Sequence, residues 1–162
     1  MSDFKGNLKH PNSQRGHVYF CSMLGMTNAL DSIVTNQTYA ALWAKEDMRI
    51  KQMVADYWSA WQEVMPFCFD KEKEGENHKD FALFKSSGLI AINYCMIPIV
   101  ERIGERYPSK DQFVKVIRKL GTYISREYWH VNSPNGMNRR LGKGPILEEA
   151  GAIANKILEI KL

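Results

Sequence analysis

The densest cluster of residues that could bind an anion is the stretch NSPNGMNRRLGKGP, residues 132–145. It combines glycine, asparagine and proline, which favour turns, with the cations Arg139, Arg140 and Lys143. Glycines expose backbone amides, and a helix that begins near Pro145 would present its positive end, so the stretch could contact phosphate. It could equally be a plain connector whose glycines and asparagines only permit turns.

The stretch does not match the phosphate loop of nucleotide hydrolases. That motif requires four residues between its two glycines, and its Lys is followed by Ser or Thr. Gly136 and Gly142 have five residues between them, and Gly144 stands where the metal-binding hydroxyl is required. Contact with the backbone of DNA or RNA therefore remains as the functional alternative to a connector, although Glu148 and Glu149 would partly oppose an anion at the helix start.

Arg126 and His130, in the segment REYWH, are two further candidates for contact with phosphate. The pair is similar to the Arg and His pair of some helical ribonucleases, in which more residues separate the two than the three found here. The shorter spacing would put both side chains on one face of a helix, provided that the helix extends so far. A small helical nuclease is therefore an alternative function.

The other titratable residues do not form a complete catalytic or metal motif. The histidines are spread over separate segments, and His78 with Asp80 lacks the three or four convergent ligands that a metal site requires. Cys21, Cys68 and Cys95 show no CxxC spacing, which favours reduced, packed thiols over disulfides or ligands. We therefore expect no metal, no cofactor and a non-catalytic protein.

Length and composition predict a folded protein of one domain. The chain has 162 residues, of which 44% are hydrophobic and 25% charged, as in an average globular domain. The net charge of +4 is too small to indicate nucleic-acid binding by itself. It is partly concentrated, however, because residues 126–144 contain four Arg and Lys residues and one acid, Glu127.

Periodic apolar residues predict an all-α fold. The spacing indicates helices at about residues 22–34, 40–65, 86–103, 109–124 and 145–158. Pro66 should end the second, Ser86 or Ser87 should cap the third, and Ser109 with Gln112 forms the pattern of a capping box. In the third helix, Pro98 predicts a bend, and the buried Asn93 requires a hydrogen-bond partner, most simply backbone near that bend.

These elements predict a single-domain helical bundle of about five helices with a long basic loop before the last helix. We expect residues 1–16 to be a flexible lead-in and residues 17–162 to form the domain. The polar N-terminus lacks the apolar core of a signal peptide, and the longest uncharged run, 86–100, is shorter than the roughly 20 residues that span a bilayer. A cytoplasmic location and no membrane partner follow as expectations.

The order of features from Trp58 onward resembles a known family. It runs through YWSAWQEVMPF, a polar loop, FALFKSSGLIAI leading into an apolar helix, and YWHVNSPNGMNRRLGKG before the closing helix. This order resembles the C-terminal helical region of the DGQHR-domain family, which includes regulators of bacterial DNA phosphorothioation systems. The motif that names the family is absent from the sequence, so no family residue can be assigned here. The resemblance implies a module associated with DNA, in defence or gene regulation.

The sequence thus leaves three functions open. The preferred one is a non-catalytic helical module of a bacterial or mobile-element protein that contacts nucleic-acid backbone through Arg139, Arg140, Lys143, Arg126 and His130. The first alternative is a module for protein interaction or homodimerisation, which would use apolar residues of the first or the last helix. The helical nuclease is the third.

Overall fold

The computed structural model describes residues 8–9, 21–22, 30–45, 47–69, 78–134, 136–137 and 143–161. These residues form an all-α fold, as predicted. The α-helices of the described part are α1 (Asp31–Val34), α2 (Gln37–Ala44), α3 (Met48–Val64), α4 (Ser86–Ile103), α5 (Lys110–Ile117), α6 (Arg126–Trp129) and α7 (Lys143–Glu159). Five of these described helices have eight or more residues. The extents of the lead-in and of the single domain stay predictions.

Two short strands precede the helices. β1 (Leu8–Lys9) and β2 (Cys21–Ser22) pair in parallel, with Leu8 opposite Cys21. The prediction of a helix from about residue 22 is therefore wrong at its start, because Ser22 hydrogen-bonds in a sheet rather than in a helix. The end of that helix is found as α1, and residues 23–29 lie outside the described residues.

The predicted helix at 40–65 is two helices, α2 and α3. The chain leaves helical geometry at Asp47, whose backbone has φ −57° and ψ 115°. The Asp47 carboxylate accepts the backbone N–H of Arg49 at 2.9 Å and so caps α3, while its own N–H donates to Leu42 O at 3.1 Å. An aspartate whose carboxylate accepts a free backbone N–H at a helix start favours a new helix over a continuous one. This explains the break between α2 and α3. α3 ends at Val64, and Pro66 begins a 3₁₀ helix, Pro66–Cys68.

α4 agrees with its predicted span but not with its predicted cap. Lys85 occupies the N-cap position without a side-chain hydrogen bond, so neither Ser86 nor Ser87 is the cap. The start of α4 packs instead against the 3₁₀ helix Ala82–Phe84, where Gly88 lies against its backbone. The helix continues through Pro98. The buried Asn93 donates to Leu89 O at 2.9 Å, a bond within α4 one turn before the position predicted.

α5 begins with the predicted capping box, in which the Ser109 N–H donates to Gln112 Oε1 at 2.8 Å. The predicted continuation to residue 124 is wrong, because α5 ends at Ile117 and a 3₁₀ helix, Arg118–Ile124, follows. Gly121 lies inside that segment with φ 60° and ψ −119°, a conformation outside the helical region. Glycine adopts such angles without steric cost, so it allows the chain to turn toward α6.

All buried apolar side chains of the described residues except Ala154 form one cluster. α3 and α5 meet through Tyr57 and Phe113, whose ring centroids are 5.2 Å apart. Tyr57 is fully buried, and its hydroxyl donates to Ile92 O on α4, so one side chain joins three helices. Trp61 packs edge-on against the same tyrosine ring. The tryptophans of α3 are therefore core residues, as their helical spacing predicts.

α4 and α7 pack side by side in the same direction. Cys95 Sγ lies 3.8 Å from Ala150 O, and further along both helices Arg102 Nε donates to Ile160 O. The contacting residue numbers increase in the same direction along both helices, so the two helices are parallel. The intervening α5, 3₁₀ helix and α6 return the chain to the end from which α7 starts.

Candidate functional site

α6 is a single helical turn that is fixed at both ends. Ser125 caps its start, since its hydroxyl accepts the backbone N–H of Tyr128 at 3.2 Å. Trp129, at its end, is fully buried and donates its indole N–H to Tyr123 O at 2.7 Å. This anchored turn positions both predicted site residues of the segment, Arg126 at its first position and His130 directly after it.

The helix α6 ends before His130. The predicted condition under which Arg126 and His130 would share one helical face is therefore not met. Its backbone is extended, with φ −68° and ψ 131°, and it pairs in an antiparallel bridge with Phe81. The next residue, Val131, donates its N–H to Asp80 O at 2.8 Å. After α6 the chain runs beside the segment around Phe81, because the backbone of His130 and Val131 pairs with that segment.

Two aromatic rings hold the Arg126 guanidinium. Its central carbon lies 5.5 Å from the ring centroid of Phe81 and 6.0 Å from that of Phe67. A guanidinium at this distance is attracted to the ring. The Phe81 ring also meets the His130 ring edge-on at 5.7 Å, so it lies between the two predicted site residues.

The His130 ring is tied to the loop that follows α6. Its Nδ1 accepts the backbone N–H of Asn132 at 3.1 Å. His130 thus adds hydrogen-bonding capacity to the site, beside the charge of Arg126.

Arg126 and His130 line one surface cleft, here called the α6 cleft. Its volume is about 520 Å³, and it is open to solvent. Its other lining residues are Glu127, Asn132, Ser133 and Pro134. Ser133 is buried, and its Oγ has no hydrogen-bond partner among the described residues. The cleft thus combines a cation, an acid and neutral hydrogen-bonding groups.

The chain beyond the cleft is anchored on Tyr128. Gly136 packs so closely that a Cβ at this position would lie 3.0 Å from Tyr128 O and from His130 O. Met137 is buried, with its Sδ 3.5 Å from the Tyr128 hydroxyl. The same hydroxyl donates to Glu149 Oε1 of α7 at 2.6 Å. Residues on both sides of the segment 138–142 therefore contact one side chain of α6.

Burial of Tyr128, together with the hydrogen bond to Glu149 and the charge of that carboxylate, raises the pKa of its phenol. The phenol is therefore protonated at neutral pH and serves as a donor. Glu149, which the sequence placed as an opponent of anions, uses its carboxylate for this contact and is only partly exposed. Glu148 is exposed.

The structure describes the remaining predicted cations only in part. Arg139 and Arg140 lie outside the described residues, and Lys143 is the first residue of α7, with its side chain also outside them. Pro145 is therefore the third residue of the last helix rather than its first, which still places it in the first turn.

Two cations of the segment after α5, Arg118 and Lys119, form contacts with residues outside this site. Arg118 pairs with Glu63 of α3 at 2.9 Å, and Lys119 Nζ donates to Lys161 O at 2.6 Å, beyond the end of α7. α7 has 17 residues, so about 24 Å of helix separates that end from Lys143. Lys119 therefore lies near the end of α7 that is opposite Lys143.

Sequence reasoning named Arg126 and His130 as candidates but did not name the residues around them. Phe67 and Phe81 come from segments on either side of a long polar loop, and no local spacing relates them to Arg126. Glu127, Asn132 and Ser133 are adjacent to the predicted residues, but their types are common in loops and surface helices. Only the fold shows that they share a cleft.

No metal site or membrane span is found in the described residues. Within them, no three His, Cys, Asp or Glu side chains are grouped in a way that could hold a metal ion. None of the helices that the structure describes is long and apolar enough to cross a membrane.

No family model matches this chain, and neither a curated protein nor a solved structure matches it. The resemblance to the DGQHR-domain family therefore stays a prediction.

Proposed function

We propose that this chain is a non-catalytic helical module that contacts the backbone of a nucleic acid. The contact surface would consist of the α6 cleft, with Arg126 and His130, and of the basic segment, residues 138–143, with Arg139, Arg140 and Lys143. The observation that carries the proposal is the shared attachment of both flanks of the basic segment to Tyr128.

That attachment would gather cations that are spread along the sequence. Tyr128 is two residues after Arg126, and it contacts Met137 on one flank and Glu149 on the other. Only five residues connect Met137 to Lys143, so Arg139 and Arg140 are close in sequence to these attached flanks. Several cations near one phosphate chain bind it by releasing counterions.

The family resemblance favours DNA as the nucleic acid and defence or gene regulation as the setting.

The test is binding of a short fluorescent DNA duplex, measured by anisotropy over a range of salt concentrations. Four phosphate contacts predict a slope of log affinity against log salt of about −3.6, and loss of two contacts reduces it to about −1.8. We expect this reduction in the variant Arg139→Ala/Arg140→Ala. The control Lys115→Ala/Lys119→Ala removes the same charge elsewhere and should leave the slope unchanged.

Salt-independent or absent binding would contradict the proposal. Equal weakening by the control variant would contradict the assignment of the contact to the basic segment, because it would show that only the net charge matters.

A second function, protein interaction, is favoured by exposed apolar residues of α7. Leu147 and Leu158 are 40% and 57% exposed. They are 11 residues apart, three helical turns, and so lie on one face. Between them on that face, Gly151 has open space where a Cβ would be. Sedimentation that shows a monomer at every concentration, together with an unchanged monomer for Leu158→Lys, would count against self-association.

A further inference from the structure

The α6 cleft contains an acid beside its cation, which a surface for duplex backbone does not require. Glu127 directly follows Arg126 in the sequence and lines the same cleft. It is exposed, and none of the described residues forms a hydrogen bond or an ion pair with its carboxylate. A duplex presents a row of phosphates, which this carboxylate would repel. A ligand that presents one phosphate and a group of hydrogen-bond donors would instead match both residues.

We propose that the α6 cleft holds one unpaired nucleotide of a single-stranded nucleic acid, with its phosphate at Arg126 and the edge of its base at Glu127. This inference rests on the proposed function and specifies the kind of nucleic acid. The volume of about 520 Å³ lies within the range of small-molecule sites, and it exceeds what a lone phosphate requires.

The fixed position of Arg126 supports the phosphate half of the site. Phe81 and Phe67 hold the guanidinium at 5.5 and 6.0 Å, which limits the rotamer freedom that the side chain would lose on binding. Proteins recognise unpaired strands through such cations combined with groups that meet the exposed base edges.

The acceptor character of Glu127 indicates which base fits. An ionised carboxylate has only acceptors, and its two oxygens can take two parallel N–H donors. Guanine offers two adjacent donors on its pairing edge, the ring N1–H and the 2-amino group. Thymine has a single ring N–H there, between two carbonyl acceptors that the carboxylate would repel. The cleft should therefore prefer guanine.

Asn132 provides a further group for the base or the sugar. It lines the same cleft, is exposed, and its side-chain amide offers both a donor and an acceptor. The cleft can therefore meet more than one edge of a nucleotide.

The experiment compares three fluorescent oligothymidines of equal length, with a central guanine, a central inosine or thymine throughout, and a duplex of the same length. We expect the guanine strand to bind more tightly than the duplex and about fivefold more tightly than the inosine strand, which lacks the 2-amino group. In the variant Glu127→Gln the guanine preference should disappear while binding of the all-thymine strand persists. The control Glu148→Gln removes an exposed acid from α7 and should keep the preference.

The outcomes separate this inference from the proposed function. Equal affinity for the guanine and inosine strands, or a preference that survives in Glu127→Gln, overturns the nucleotide site. Salt-dependent binding of the duplex in that case leaves the proposed function intact. Failure of every strand and of the duplex to bind overturns both. Both substituted residues are exposed, so loss of folding is not expected in either variant.

Discussion

Asp47 ends one helix and begins the next. Its carboxylate accepts hydrogen bonds from the Arg49 side chain at 2.8 and 3.1 Å and from the Arg49 backbone N–H at 2.9 Å. Tyr107 adds a longer contact to the same carboxylate and lies beneath the Arg49 guanidinium. One acidic side chain therefore determines where α2 and α3 separate, and it connects that junction to the chain after α4.

These contacts predict how the stability of the protein depends on pH. The hydrogen bonds from the Arg49 side chain and backbone lower the pKa of Asp47 to about 2. A carboxyl with a lowered pKa contributes stability above its unfolded-state pKa of about 3.9, and that contribution is lost as the pH falls toward the folded-state value. We expect a carboxyl NMR titration of Asp47 to show a midpoint near 2.

The variant Asp47→Asn tests the same point through stability, because asparagine still caps a helix but carries no charge. Its difference from the unsubstituted protein in urea unfolding should be constant above about pH 5 and shrink as the pH falls to 2. A difference that does not change with pH would show that only the uncharged cap matters.

At the scale of elements, sequence reasoning succeeded where a local pattern has one structural outcome. The capping box at Ser109 and the amphipathic face of α3 are such patterns, and both are confirmed. It failed where tertiary contacts decided between local alternatives. Asp47 could be a helical surface residue or a cap, and Lys85 precedes α4 without a capping bond because packing fixes that start. The sequence around Gly121 is compatible with a helix, and only the fold shows that the chain turns there toward α6.

The contact between α4 and the preceding 3₁₀ helix predicts a position that does not tolerate a side chain. A Cβ on Gly88 would lie 2.1 Å from Ala82 O and 2.7 Å from Leu83 Cα, both backbone atoms that cannot rotate away. We expect Gly88→Ala to lower the free energy of unfolding by about 2 kcal/mol or more. Urea denaturation followed by circular dichroism measures this change.

Gly151 of α7 provides the matched control. It also lies inside a long helix, but a Cβ at this position would have no atom from outside its own helix within 4 Å. Because alanine favours helix over glycine, Gly151→Ala should raise the free energy of unfolding by about 0.5–1 kcal/mol. Similar effects of the two substitutions, in either direction, would argue against the close contact at Gly88.

At the scale of the whole molecule, the core protects two thiols from reaction. Cys68 and Cys95 are free and fully buried, as the prediction of reduced, packed thiols requires, while Cys21 has no described side chain. Burial raises the pKa of both thiols, so the reactive thiolate is scarce as well as inaccessible. Both cysteines belong to the same cluster, and their exposure should report on the unfolding of that cluster.

In a Cys21→Ser variant, we expect a thiol reagent to label the native protein about a hundredfold or more slowly than the protein unfolded in urea. Both remaining thiols should become reactive in the same urea transition that abolishes the helical signal. Fast labelling of one thiol under native conditions would show that its part of the core opens independently.

The parallel arrangement of α4 and α7 also has a consequence for synthesis of the chain on the ribosome. The contacts that α4 makes with Ala150 and Ile160 involve residues that are translated long after Cys95 and Arg102. α5 and α6 lie between them in the sequence and therefore emerge first. The nascent chain thus carries an incompletely covered apolar helix, a surface that chaperones bind, until the final helix has been translated and can dock.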